Sequence, residues 1–163
     1  MSIFPTTILL ATDGSENVAH ATDVAVQLSN VTGSELHVVY VGEDASSATL
    51  LYPETIDPGG VAWEDPTLLE QLQRQFEQMS HRVLETEAEK VREAGGTVTQ
   101  AHLRMGKAAA EIVDLAEELG AGLVVVGSRG LGGITRALMG SVSDSVVRHA
   151  HCPVLVVRRE EEE

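Results

Sequence analysis

Short apolar, β-branched runs alternate along the whole chain with segments whose apolar residues recur every three or four positions. Thr7 to Ala11 predicts a first strand. Val18, Ala21, Ala25 and Leu28 then fall at helical spacing, with Gly33 as the stop. Leu36 to Val41 predicts a second strand. A long helix follows, carrying Leu69, Leu72, Phe76, Met79 and Val83 and ending at Gly95-Gly96. Val98 to Leu103 predicts a third strand, and Ala108, Ile112, Leu115 and Leu119 line a helix closed by Gly120. Leu123 to Val126 predicts the fourth strand, Ser141 opens a last helix, and Val154 to Val157 predicts the fifth. Gly33, Gly95 and Gly120 each sit just before a strand, where a helix C-cap needs a positive φ.

Five strands joined by helices predict an α/β fold: a doubly wound, five-stranded, mostly parallel sheet with helices on both faces. In such sheets ligands bind beyond the carboxyl ends of the strands, where the strand order reverses. The first and fourth strands end in Asp13-Gly14 and Gly127. As neighbours they place Asp13 and the following glycine loop on one crevice. Gly42 to Pro66 breaks the alternation, with Pro53, Pro58, Gly59 and Gly60 beside Leu50, Leu51, Tyr52 and the lone Trp63. A stretch of this kind is either a lid near the crevice or a contact surface for another chain.

A chain of 163 residues is expected to form one domain, over 1–159, with Glu160 to Glu163 as an acidic solvated tail. Aromatic residues make up only 3%, so the core is aliphatic. The formal net charge of −14 repels a phosphate backbone and an anionic membrane, so neither nucleic acid nor membrane is an expected partner. The single Cys152 precludes an intramolecular disulfide framework and fits a reducing compartment. No signal-like or membrane-spanning run opens the chain, since Ile8-Leu9-Leu10 is stopped by Asp13-Gly14. The expectation is a soluble, cytoplasmic protein.

The candidate chemistry lies in Gly127-Ser128-Arg129-Gly130, nine further residues, and Gly140-Ser141, between the fourth strand and the last helix. Glycines here let the backbone approach a ligand, and the helix start offers unpaired N–H groups and a positive dipole end to phosphate oxygens. The Walker loop is absent, as the region holds no Lys. The dinucleotide fingerprint also fails, because Thr135 stands where a third Gly is required. Arg129 and Arg136 lie within the motif and are candidates to neutralise phosphate charge. His149 and His151 fit no zinc spacing, and no metal site is expected from them. Cys152 reads as a small hydrophobe entering the last strand. Ser141 reads as a helix N-cap that also meets phosphate, since no base is spaced to activate it as a nucleophile.

The pattern Gly127-x2-Gly130-x9-Gly140-Ser141 resembles the ATP-binding signature of the universal stress protein family. Asp13 after the first strand and the ending His151-Cys152-Pro153-Val154-Leu155-Val156-Val157 match that family as well. The resemblance covers essentially the whole chain. It implies strand order 3-2-1-4-5 and a homodimer in which the last strands of two chains pair. It places Asp13 and the Val41 backbone near adenine and ribose, Gly127 against the ribose, and Gly130, Gly140, Ser141 and Val142 at the phosphates. With their neighbours Thr12, Ser128 and Arg129, these are the candidate nucleotide-binding residues. Ala121-Gly122, where many relatives carry an acidic residue, is a departure outside the signature.

Three functions compete. The first is a regulatory protein that holds ATP or ADP, with Mg²⁺ bound mainly through the phosphates. The second is a slow ATPase, for which Asp13 is the only carboxylate placed near the site. The third is a nucleotide-independent module that recruits a protein partner. No catalytic residue is assigned.

Overall fold

The structure, a computed structural model, describes residues 2–44, 66–128 and 140–158. Five parallel strands form one sheet: β1 (Thr7–Thr12), β2 (Glu35–Gly42), β3 (Gln100–Met105), β4 (Leu123–Gly127) and β5 (Val154–Val157). Their order is β3-β2-β1-β4-β5, with helices on both faces, as the sequence predicts. Helices α1 (Ala19–Thr32) and α2 (Pro66–Glu93) cover one face. There Ile8, Leu10, Leu36, Val38 and Val125 pack with Ala21, Ala25, Leu84 and Val91. Helices α3 (Ala108–Leu119) and α4 (Ser141–His149) cover the other. There Leu9, Ala11, Val39, Val124 and Val126 pack with Ile112, Leu115 and Val146. Both layers are aliphatic. Strand alternation explains the division, because successive side chains of β1 leave by opposite faces.

Gly33, Gly95 and Gly120 adopt φ of 67°, 89° and 61° respectively. Gly33 and Gly120 are the C-caps of α1 and α3, and the Gly120 N–H bonds back to carbonyls of α3.

Two elements differ from their sequence reading. The third strand starts at Gln100 and not at Val98. Val98 packs on the core and the Thr99 N–H already bonds the Leu36 carbonyl at 2.8 Å, but ladder pairing begins only where His37 meets Gln100. In α2 the stripe read as apolar is only partly covered, with Phe76 and Val83 half-buried. Leu69, Leu72 and Met79 stay exposed, whereas Ser80, Leu84, Glu87, Ala88 and Val91 face the sheet. A helix of 28 residues is about 42 Å long and outruns the strands beneath it, so only its second half finds a partner there.

Candidate functional site

The reversal of strand order falls between β1 and β4. Leu10 pairs with Val125 and Thr12 with Tyr40. Continued past the last pairs, that register sets Thr12 level with Gly127, and Asp13 level with both Val41 and Ser128. The carboxyl edge of the sheet therefore brings together five of the sequence-predicted positions, which lie up to 116 residues apart.

The amino end of α4 closes the same place. The Gly140 N–H donates to the Ser128 carbonyl at 2.7 Å, and the buried Ser143 Oγ donates to the Gly127 carbonyl. Both carbonyls at the end of β4 are thus bound by the helix that follows. The N-cap is Gly140 (φ −57°, ψ 151°), not Ser141. The Gly140 carbonyl accepts the Asp144 N–H at 2.9 Å, which makes Ser141 the first helical residue. With no side chain at the cap, the first-turn N–H groups of Ser141, Val142 and Ser143 stay unused by the helix itself. Asp144, the acidic group of that turn, is paired with Arg148 at 2.9 Å, which tempers its repulsion of an anion. Val142 is exposed. Arg129, Gly130 and Arg136 lie outside the described residues, as do the whole segment 45–65 and the tail 159–163.

The turn after β1 is internally braced. Asp13 Oδ1 accepts the Ser15 N–H at 2.8 Å and the Ser15 Oγ–H at 2.6 Å. This is an Asx-type turn, which a short carboxylate two residues before a polar residue favours. Thr12 does not direct its hydroxyl into the crevice. Strand alternation sends it to the α2 face, where Oγ1 donates to Glu87 Oε2 at 3.0 Å and accepts the Gly14 N–H at 3.3 Å. On the same face, Tyr40 has its hydroxyl pKa raised by burial first, and then by the negative charges of Glu43 and Asp13. The β1–β2 side of the crevice thus carries the acidic groups Asp13 and Glu43 near Tyr40, and the α4 side carries backbone donors.

Sequence reasoning missed Ser143, Ser15 and Glu87. The Asp13-x-Ser15 spacing was an available sign of the turn. Nothing local marked Glu87, because an acidic residue in a charged helix reads as solvated.

The remaining candidates behave simply. His149 Nδ1 meets the Ser145 carbonyl at 2.8 Å, and His151 lies 3.9 Å from Glu117. Among the described residues no group of three or more His, Cys, Asp or Glu side chains is placed to hold a metal ion. Cys152 is half-buried against the α3–α4 face, and burial pushes its thiol pKa up, which keeps it protonated. No helix among the described residues is long and apolar enough to cross a membrane.

Comparison with known proteins agrees with this architecture. The model of the universal stress protein family matches residues 5–158. Universal stress protein YxiE of Bacillus subtilis (strain 168) is 33% identical over 151 residues, covering 93% of this chain and 97% of that protein. Among solved structures, a universal stress protein in complex with cAMP superposes with a TM-score of 0.63 at 23% identity, covering 95% of this chain and 98% of that one. The universal stress protein from Archaeoglobus fulgidus in complex with dAMP gives 0.57 at 18% identity, with 95% and 98% covered. At those identities the superpositions speak for the fold alone. On the family model and the curated relative, the chain belongs to the universal stress protein family.

Proposed function

We propose that this chain is a regulatory protein that holds an adenine nucleotide, ATP or ADP, between the ends of β1 and β4 and the amino end of α4, and that it works as a cytoplasmic homodimer. The observation that carries the reading is the bare cap at Gly140, tied to Ser128, which the strand register sets level with Asp13 and Val41. Backbone amides at a helix start suit phosphate oxygens, and a residue with no side chain leaves room for them. On this reading Gly127 and Ser128 meet the ribose, while Arg129, Gly130, Gly140, Ser141 and Val142 meet the phosphates. Asp13 and the Val41 backbone face the nucleoside. The two family members solved with cAMP and dAMP support an adenine ligand.

Magnesium would enter with the nucleotide, on phosphate oxygens and water, since the described residues build no carboxylate cage for it. Rapid hydrolysis is not expected. Asp13 Oδ1 is engaged twice by Ser15, and the residue stands at the nucleoside end, away from the phosphoryl group to be transferred. The output of binding is then a contact with a protein partner, passed through the dimer.

Calorimetric titration with MgATP, MgADP and cAMP tests the reading. Saturable heat with at least one adenine nucleotide is the expected result. Absence of heat at high protein concentration would remove it, and leave a nucleotide-independent interaction module in its place.

A further inference from the structure

Glu87 is the one carboxylate among the described residues classed as buried, with a relative exposure of 4%. It sits mid-stripe on the sheet-facing side of α2, between Leu84 and Val91. A carboxylate in that position costs folding free energy unless it is fully partnered, and a hydrophobic residue there would often serve stability as well or better. Its two oxygens are both used. Oε1 receives Lys90 Nζ at 2.8 Å, and Oε2 receives the Thr12 hydroxyl at 3.0 Å.

The second bond matters for the crevice. A threonine hydroxyl has one hydrogen, and an ionised carboxylate can only accept it. Glu87 therefore fixes the hydroxyl rotor and turns a lone pair of Oγ1 toward the Gly14 N–H at 3.3 Å. Gly14 is the pivot of the Asp13–Ser15 turn, at φ 76°, and that turn sets where the Asp13 carboxylate points. The chain Lys90–Glu87–Thr12–Gly14 thus runs from the outer surface of α2 to the residue beside Asp13.

We propose that Glu87 is a positioning residue for the nucleoside end of the crevice, acting through Thr12 on the turn that carries Asp13. The assignment rests on the nucleotide-binding reading above, and it goes further by placing a determinant of that affinity outside the glycine signature, in α2.

The test is a set of four variants and one double variant, titrated with MgATP below their melting temperatures. Thr12→Val and Glu87→Leu each weaken binding by about tenfold, the scale of one hydrogen bond to a charged group. Thr12→Ser and Glu87→Gln keep a donor and an acceptor in place, and stay within about threefold of wild type. The Thr12→Val/Glu87→Leu double variant binds no worse than the weaker single variant, because both act through one bond. Amide hydrogen exchange supplies a readout that general loosening does not mimic. The Gly14 amide exchanges faster in Thr12→Val and Glu87→Leu, while the core amides of Val38 and Val124 do not. Additive losses, wild-type affinity in Glu87→Leu, or uniformly faster exchange would each overturn the assignment. A wild-type chain giving no heat removes the nucleotide reading and this assignment together. A wild type that binds, beside a Glu87→Leu variant that binds equally well, removes the assignment alone.

Discussion

His37 Nδ1 and His102 Nε2 lie 2.9 Å apart and join β2 to the edge strand β3, with their rings stacked at a centroid distance of 5.2 Å. Only one hydrogen can occupy that gap, so one of the two nitrogens must be unprotonated. Burial lowers the His102 pKa, and His37 and Arg104 lower it further, against a smaller opposing pull from Glu118. Glu35, 3.7 Å from His37 Nε2, flanks the other side of the pair. The sign follows from linkage. Below the ordinary value of 6.5, an unfolded chain takes up a proton at residue 102 that the folded chain refuses. This contribution to stability is whole above 6.5 and is lost as pH falls toward the lowered folded value. Melting temperatures are expected to drop as pH falls below the ordinary value of 6.5, and to drop less in His102→Gln. Equal slopes for the two proteins would show that the pair does not drive the effect.

Ser143 joins the last helix to the end of β4, and its hydroxyl is buried. Ser143→Ala strips the Gly127 carbonyl of that donor and leaves an acceptor without its partner. A loss of about 1–3 kcal/mol in urea unfolding is expected. On the proposed reading nucleotide affinity should fall as well, since the amides it assigns to phosphate ride on the same first turn. A variant with unchanged unfolding midpoint and unchanged affinity would show that Ser143 anchors nothing.

Strand and helix order was legible because each buried strand is a short aliphatic run, Leu123 to Val126 being the plainest. The helix stops were legible because Gly33 and Gly120 occur where only a positive φ closes the turn. Of the glycine loop only the two ends lie among the described residues, and there Gly127 and Gly140 bond through their backbone. Side-chain partnerships across the sheet were not legible. His37 and His102 are 65 residues apart, and Thr12 and Glu87 are 75 apart. Each pair depends on a register that no local pattern encodes. Serine is the better capping side chain, so the sequence points to Ser141, whereas the cap is Gly140, which has no side chain and bonds through its carbonyl and N–H.

Two glycines of similar φ separate backbone strain from crowding. Gly120, at φ 61°, has nothing within 4 Å of where a Cβ would stand. Gly14, at φ 76°, would set a Cβ 2.8 Å from Val83 Cγ1. Gly120→Ala should cost about 1–2 kcal/mol, the left-handed penalty alone. Gly14→Ala should cost more, and should also displace the turn that carries Asp13. Chemical denaturation of the two variants side by side checks the ranking, and equal losses would mean that Val83 yields without resistance.

Among the described residues β5 is an edge strand, paired only with β4. Hydrogen bonds from the Val124 N–H to the Pro153 carbonyl and from the Ser128 N–H to the Val157 carbonyl show which residues face β4. By alternation, the N–H and C=O groups of Val154 and Val156 point away from it. Val154, Leu155 and Val156 are only half-buried in the single chain. An apolar edge strand with free donors invites pairing, and a two-fold axis between two copies satisfies it without leaving a further edge. The wild-type protein should therefore scatter light as a dimer at micromolar concentration. Val156→Pro removes one outward N–H and none directed at β4, a change that edge strands tolerate. It should leave a folded monomer with an unaltered far-ultraviolet spectrum. A wild-type monomer would exclude this edge as an interface, and a Val156→Pro dimer would move the interface to another face of the molecule.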